Sequence, residues 1–144
     1  MRAVKPIMLW FISTILFTLA AFGLELWEGT KISTTEYYGF QNIGFAFIFL
    51  VFLFSVLLYP VILLPLSWVI RKIVNPLVNR IMIFLLSGIA GYGFFYEVYD
   101  KRFIREYHLN SSTAIIFFGI AGFIYALVDY YFERQAIKAE QNPC

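Results

Sequence analysis

Charge is scarce in this sequence. Only 14% of its 144 residues are Asp, Glu, Lys or Arg, against about 25% in soluble domains, and that excludes a polar surface able to cover a soluble globule. Cysteine occurs once, as Cys144, which excludes an internal disulfide framework and a cysteine-based metal cluster. Histidine also occurs once, as His108, and a lone imidazole makes a poor metal site. The patterns G-x-S-x-G and H-E-x-x-H and a phosphate-binding glycine loop are missing. With so few candidate acids and bases, an enzyme is not expected, and neither is a cofactor. The net charge of +2 is spread along the chain and lacks the density that nucleic acid binding needs.

Apolar residues take the place of charge. The chain is 61% hydrophobic and 21% aromatic, a content that a bilayer solvates and a soluble core cannot hide. A helix needs about 20 mostly apolar residues to cross hydrocarbon about 30 Å thick, and four uncharged stretches approach or meet that length. They predict spans over 7–24, 43–70, 81–96 and 109–131, followed by a tail over 133–144. The third is the shortest; Arg80 before it can snorkel to the surface, and Tyr96 and Tyr99 suit the opposite interface. Strict alternation of the barrel kind is lacking. The expected fold is therefore all-α: a polytopic membrane protein with four transmembrane helices. The basic start MRAVK before an apolar run also resembles a signal peptide; it is read as an uncleaved first span, because that run is long for such a segment and three more spans follow.

Lysine and arginine set the orientation. Arg2, Lys5, Arg71, Lys72, Arg80, Arg134 and Lys138 fall on one side, against Lys31, Lys101, Arg102 and Arg105 on the other. Seven against four places both termini in the cytoplasm. Trp10, Trp68, Tyr130 and Tyr131 then fall at the inner interface, and Trp27, Tyr37, Tyr38, Tyr96 and Tyr99 at the outer one. The first outer loop also carries Glu25, Glu28 and Glu36.

The tetrapeptide GIAG occurs twice, in LLSGIAGYGFF and in FFGIAGFIYAL. In lipid, small residues drive association because they let helix backbones approach. Ser87, Gly88 and Gly91 on span three, and Gly119, Gly122 and Ala126 on span four, are read as a packing seam in an antiparallel hairpin. The acids after the two copies, Asp100 and Asp129, are not at equivalent offsets, so a transporter-type repeat is unsupported. Span two reads FAFIFLVFLFSVLLYPVILLPLSWVI, with large side chains on every face. Pro60 and Pro65 predict a kink in it, either a static bend that absorbs excess length or a hinge.

No charge lies at a span centre, where it would be a functional candidate by default. Glu25 and Asp129 stand near span ends and are expected to reach headgroups or water; Asp129, near Arg134 or the Arg71–Lys72 pair, is the one candidate functional carboxylate. The intramembrane hydroxyls can bond back to their own helices. The external segment 97–109, EVYDKRFIREYHL, pairs Glu97 with Lys101 and Arg102 with Glu106 at i,i+4, which supports a helix. Tyr99, Phe103 and Tyr107 would line one side of it and touch membrane, or less readily a partner.

A short basic N-terminus, a Pro-containing second span, a compact basic inner loop and a glycine-seamed hairpin of spans three and four together resemble the layout of uncharacterised small four-span membrane proteins of Bacillus-type bacteria. That resemblance implies a cell-membrane location and carries over no activity and no functional residues.

Three functions compete. The first is an accessory, regulatory or immunity-type protein that acts through helix–helix contacts with another membrane protein. It expects Gly91→Leu or Gly122→Leu to abolish activity while Asp129→Asn hardly matters. The alternative is a small homo-oligomeric transporter or channel, with Asp129, Glu25 or Pro60 decisive instead. The third is envelope or lipid-surface sensing through the external segment. The partners implied are the bilayer and another membrane protein or a second copy of the chain. Cys144 tests the topology. A membrane-impermeant maleimide should leave it unlabelled in intact cells and label it after lysis; labelling without lysis would put the C-terminus outside.

Overall fold

The computed structural model describes residues 4–32 and 45–141. Arg2, Glu36, Tyr37, Tyr38, the expected start of span two at Ile43, and Cys144 lie outside the described residues. Within them the chain is helical: α1 (Val4–Trp27), a 3-10 turn (Gly29–Lys31), α2 (Phe45–Leu58), a π-turn (Tyr59–Leu63), α3 (Leu64–Ile73), α4 (Pro76–Val98), α5 (Lys101–Glu106) and α6 (Ser111–Gln141). Four helices are long and apolar enough to cross a membrane: Val4–Lys31, Ala46–Ile73, Pro76–Val98 and Ser111–Gln141. They are spans one to four of an all-α membrane protein.

The packing order differs from the chain order. Spans three and four share the largest interface, spans one and four the next, then spans one and two. Spans two and three meet little beyond their turn, so the order around the bundle is two, one, four, three, with a gap at the end. Two apolar cores fill it. One contains Ala21, Leu24, Phe95 and Phe118. The other, toward the basic end, contains Leu9, Tyr59, Ile83 and Tyr125.

Span three is longer than 81–96. Val74 and Asn75 are extended, as a residue before proline is driven to be, and Pro76 then opens the helix at a position that needs no N–H. The helix therefore takes in Asn79 and Arg80 and runs 23 residues, about 34 Å. Span four likewise continues past 131, so residues 133–141 of the expected tail are helix.

The kink expected of span two is corrected: Pro60 and Pro65 do not interrupt it. They lie in one continuous helix, Ala46–Ile73, and the irregularity they cause is the π-turn at Tyr59–Leu63. Pro60 has no N–H, so the carbonyl of Val56 loses its helical donor. The indole Nε1–H of Trp10 on span one donates to that carbonyl at 2.9 Å. Trp10 thus ties two spans together rather than only marking an interface. It is span one that departs from the α-helix outright, passing into the 3-10 turn after Trp27.

The seam between spans three and four is built from part of the expected set. A Cβ on Gly91 would stand 2.7 Å from both the carbonyl oxygen of Ala114 and the Cβ of Phe118. One on Gly122 would meet the side chain of Ser87. Ala126 is also buried. Gly88 and Gly119 are looser: their added Cβ atoms would find nothing nearer than 3.6 Å and 3.9 Å respectively. The second glycine of each GIAG locks the helices; the first does not. Gly91→Ala should therefore lower stability by about 1–3 kcal/mol, the usual cost of overpacking, while Gly88→Ala should leave it within about 0.5 kcal/mol. Thermal unfolding in detergent measures both, and equal losses would mean that the helix register is wrong.

Candidate functional site

The ionic side chains gather at the two ends of the bundle. At the basic end, Asp129 of span four is 1% exposed. Arg71 at the end of span two donates through Nη2 to both of its carboxylate oxygens, at 2.9 Å each. Lys5 of span one stands 3.0 Å from Oδ1, and Arg80 Nε of span three stands 3.6 Å from Oδ2. One carboxylate thus collects a cation from each of the other three spans. Arg80 also pairs with Glu133, one turn along span four, and its guanidinium lies 5.0 Å from the centre of the Tyr130 ring. Beneath the cluster sit Tyr59 and Tyr125, with ring centroids 6.5 Å apart.

The interfacial role expected of Asp129 is corrected accordingly. It does not reach water, because the apolar groups around it leave the Arg71, Lys5 and Arg80 charges as its solvation. Of its expected partners, Arg71 is one. Arg134 is exposed, and the Lys72 ammonium instead lies 3.7 Å from the centre of the Trp68 ring. Nor does Arg80 snorkel; its side chain is turned inward and only 14% exposed.

At the opposite end two further carboxylates are buried. Glu25, expected in headgroups or water, is 1% exposed, and its Oε2 accepts from the Tyr99 hydroxyl at 2.7 Å. Tyr99 is itself buried rather than interfacial. Glu28 is fully buried. It accepts from Lys31 Nζ at 2.8 Å, from the Thr113 hydroxyl at 2.7 Å and from the backbone N–H of Asn110 at 3.1 Å. A carboxylate there sits at the positive end of the span-four dipole, where unpaired N–H groups need acceptors. Asn110 caps the same helix by accepting from Ser112 N–H at 2.9 Å.

The external segment is a separate short helix. Tyr99 is extended, and the Asp100 side chain caps α5 by accepting from Arg102 N–H at 3.1 Å. The expected Glu97–Lys101 pair therefore falls across a break. Phe103 and Tyr107 pack on the apolar core, so the aromatic side faces the bundle rather than membrane or a partner.

Between the ends, hydroxyls serve the helices. Thr14, Thr18, Ser55 and Ser87 each donate to a carbonyl three or four residues back, and Thr18 also reaches the Ser55 hydroxyl at 3.4 Å. Two apolar grooves flank span three. One, of about 320 Å³, lies in the gap between spans two and three and includes Ser13, Leu58, Leu66, Ile83 and Ala90. The other, of about 310 Å³, lies over the hairpin. Its lining is Phe84, Leu85, Gly88, Ile89, Tyr92, Ile115 and Gly119. Among the described residues no group of three His, Cys, Asp or Glu side chains could hold a metal.

Sequence reasoning singled out Asp129 but missed Lys5, Arg80, Glu133, Tyr59 and Tyr125 around it, and the role of Glu28. The signal was present. Gly122, Ala126, Asp129 and Glu133 are spaced 4, 3 and 4 apart, as are Arg80, Phe84, Ser87 and Gly91, so each charge continues a seam face and must point inward. Removing the charge of Asp129 leaves three cations gathered with no carboxylate between them. Breaking a buried pair in this way costs about 3–5 kcal/mol, so Asp129→Asn should unfold well below wild type, whereas Arg134→Gln should be nearly neutral. Denaturant titration of the detergent-solubilised protein measures the difference, and an unchanged midpoint for Asp129→Asn would overturn this assignment. Comparison of the chain with protein-family models, with curated proteins and with solved structures finds no match.

Proposed function

We propose that this protein is an accessory or regulatory protein of the cell membrane, of the class that includes immunity proteins. It acts by receiving a transmembrane helix of another membrane protein against the hairpin of spans three and four. The observation that carries the reading is the groove over Gly88 and Gly119. The bundle has no internal use for these two glycines, since a Cβ at either would meet nothing tightly. On a lipid-facing surface, glycines at the floor of a groove give close backbone approach to a second helix, which is what drives association in hydrocarbon. Phe84, Leu85, Tyr92 and Ile115 form the walls and supply van der Waals contact.

Both termini lie in the cytoplasm on this reading, supported by the excess of Lys and Arg at that end and by the resemblance of the layout to small four-span proteins of Bacillus-type bacteria. The transporter or channel alternative has less support. The charges sit at the two ends, and between them Thr14, Thr18, Ser55 and Ser87 are bonded to their own helices. Sensing through the external segment loses its aromatic surface, which is turned inward.

The geometry also changes which residues discriminate. Gly91, Gly122 and Asp129 are internal, so substitutions there report on folding. Gly88 and Gly119 report on docking. Purification of the tagged protein from native membranes in mild detergent, with mass spectrometry and particle mass in parallel, should recover a stoichiometric membrane partner. Gly88→Leu and Gly119→Leu should each lose that partner while the melting temperature stays within a few degrees of wild type. A homo-oligomer with no partner would sink the accessory reading in favour of self-association on the same groove.

A further inference from the structure

We infer that the other groove, between spans two and three, is a site for one acyl chain of an anionic phospholipid, with the phosphate at the basic end of the bundle. The turn Val74–Asn75 ties the two spans together at that end, yet they barely touch in the hydrocarbon. The gap between them is a groove of about 320 Å³ lined almost wholly by apolar groups. Its rim residues Ile62 and Ile89 are 51% and 66% exposed, so the opening faces the bilayer sideways.

Depth and charge identify the occupant. Leu58, Ser13 and Ser87 stand near the middles of their spans, and Leu66 and Ile83 stand toward the basic end. From Leu58 to Leu66 the groove is about 12 Å long, most of the roughly 15 Å of hydrocarbon in one leaflet. A chain filling it therefore belongs to the leaflet on the basic side. Arg71 and Lys72 follow Leu66 by little more than one turn, and Arg80 precedes Ile83 by one. The Arg71 side chain is 38% exposed, and the Lys72 ammonium is held over Trp68. Among the described residues this end carries Lys5, Arg71, Lys72, Arg80, Arg134 and Lys138 against Asp129, Glu133 and Glu140. At the opposite end the described charges nearly balance, Glu25, Glu28, Glu97, Asp100 and Glu106 against Lys31, Lys101, Arg102 and Arg105. A phosphate with no compensating ammonium therefore matches the first end.

Native mass spectrometry of the intact protein in mild detergent, titrated with phosphatidylglycerol or phosphatidylcholine, tests the site. One phosphatidylglycerol should be retained at least tenfold more firmly than phosphatidylcholine. Lys72→Gln should weaken retention about fivefold, the effect of one basic residue at an anionic surface. Ala90→Phe, which fills the groove, should abolish retention, while Ile116→Phe on the exposed face of span four should not change it. Ile62→Trp, at the rim, repeats the blocking test should Ala90→Phe lower the melting temperature. Equal retention of the two lipids overturns the inference. So does selective retention that survives both groove substitutions, or a polypeptide that co-purifies with wild type and is lost in those two variants. Gly88→Leu should leave lipid retention unchanged, so failure here and failure of the partner reading are separable.

Discussion

A carboxylate buried away from water must be met by charge that the protein itself brings. Asp129 imposes that requirement on the whole bundle. Its cations come from spans one, two and three, in the form of Lys5, Arg71 and Arg80, so this one side chain links all four helices. The basic end is thereby closed around one side chain. The same rule operates at the other end, where Glu28 is satisfied by Lys31 and by the first turn of span four. Span four is thus held at both ends to span one, by Asp129 and Lys5 at one and by Glu28 with Asn110 and Thr113 at the other. Ion pairs are used here as fasteners because apolar contact between helices gains little over contact with lipid.

Small residues do the rest of the fastening, and they divide the labour. Gly91 and Gly122 admit the opposing helix so closely that any side chain would collide. Gly88, half-buried, and Gly119, buried, stand three residues earlier in each motif and line a groove over the hairpin. An i,i+3 pair on a helix subtends about 60° at the axis, enough for one glycine to lie in the interface and the other at its edge. Span two is held differently: Thr18 of span one reaches its Ser55 hydroxyl, and a missing N–H at Pro60 frees a carbonyl that Trp10 takes up.

The two grooves share Ile89 as a common wall but differ in their surroundings. The groove over the hairpin has backbone at its floor and no excess of charge beside it. The groove at the gap has side chains for walls and a basic end within a turn. Geometry of the first kind suits a helix, and of the second an amphiphile.

Much of this was legible in the amino-acid sequence. Four spans, their order and the close approach of spans three and four follow from apolar length and from the GIAG spacing, which are local properties. The inward direction of Asp129 and Arg80 was legible too, since each continues the face of a glycine seam. Which cations would meet Asp129 was not, because Lys5 and Arg71 lie 124 and 58 residues away along the chain and only the packing order two, one, four, three brings them to it. That order, the burial of Glu25 under Tyr99 and the gap between spans two and three are properties of how helices share a perimeter. In a medium where every apolar face is equally content against lipid, no single helix carries that information.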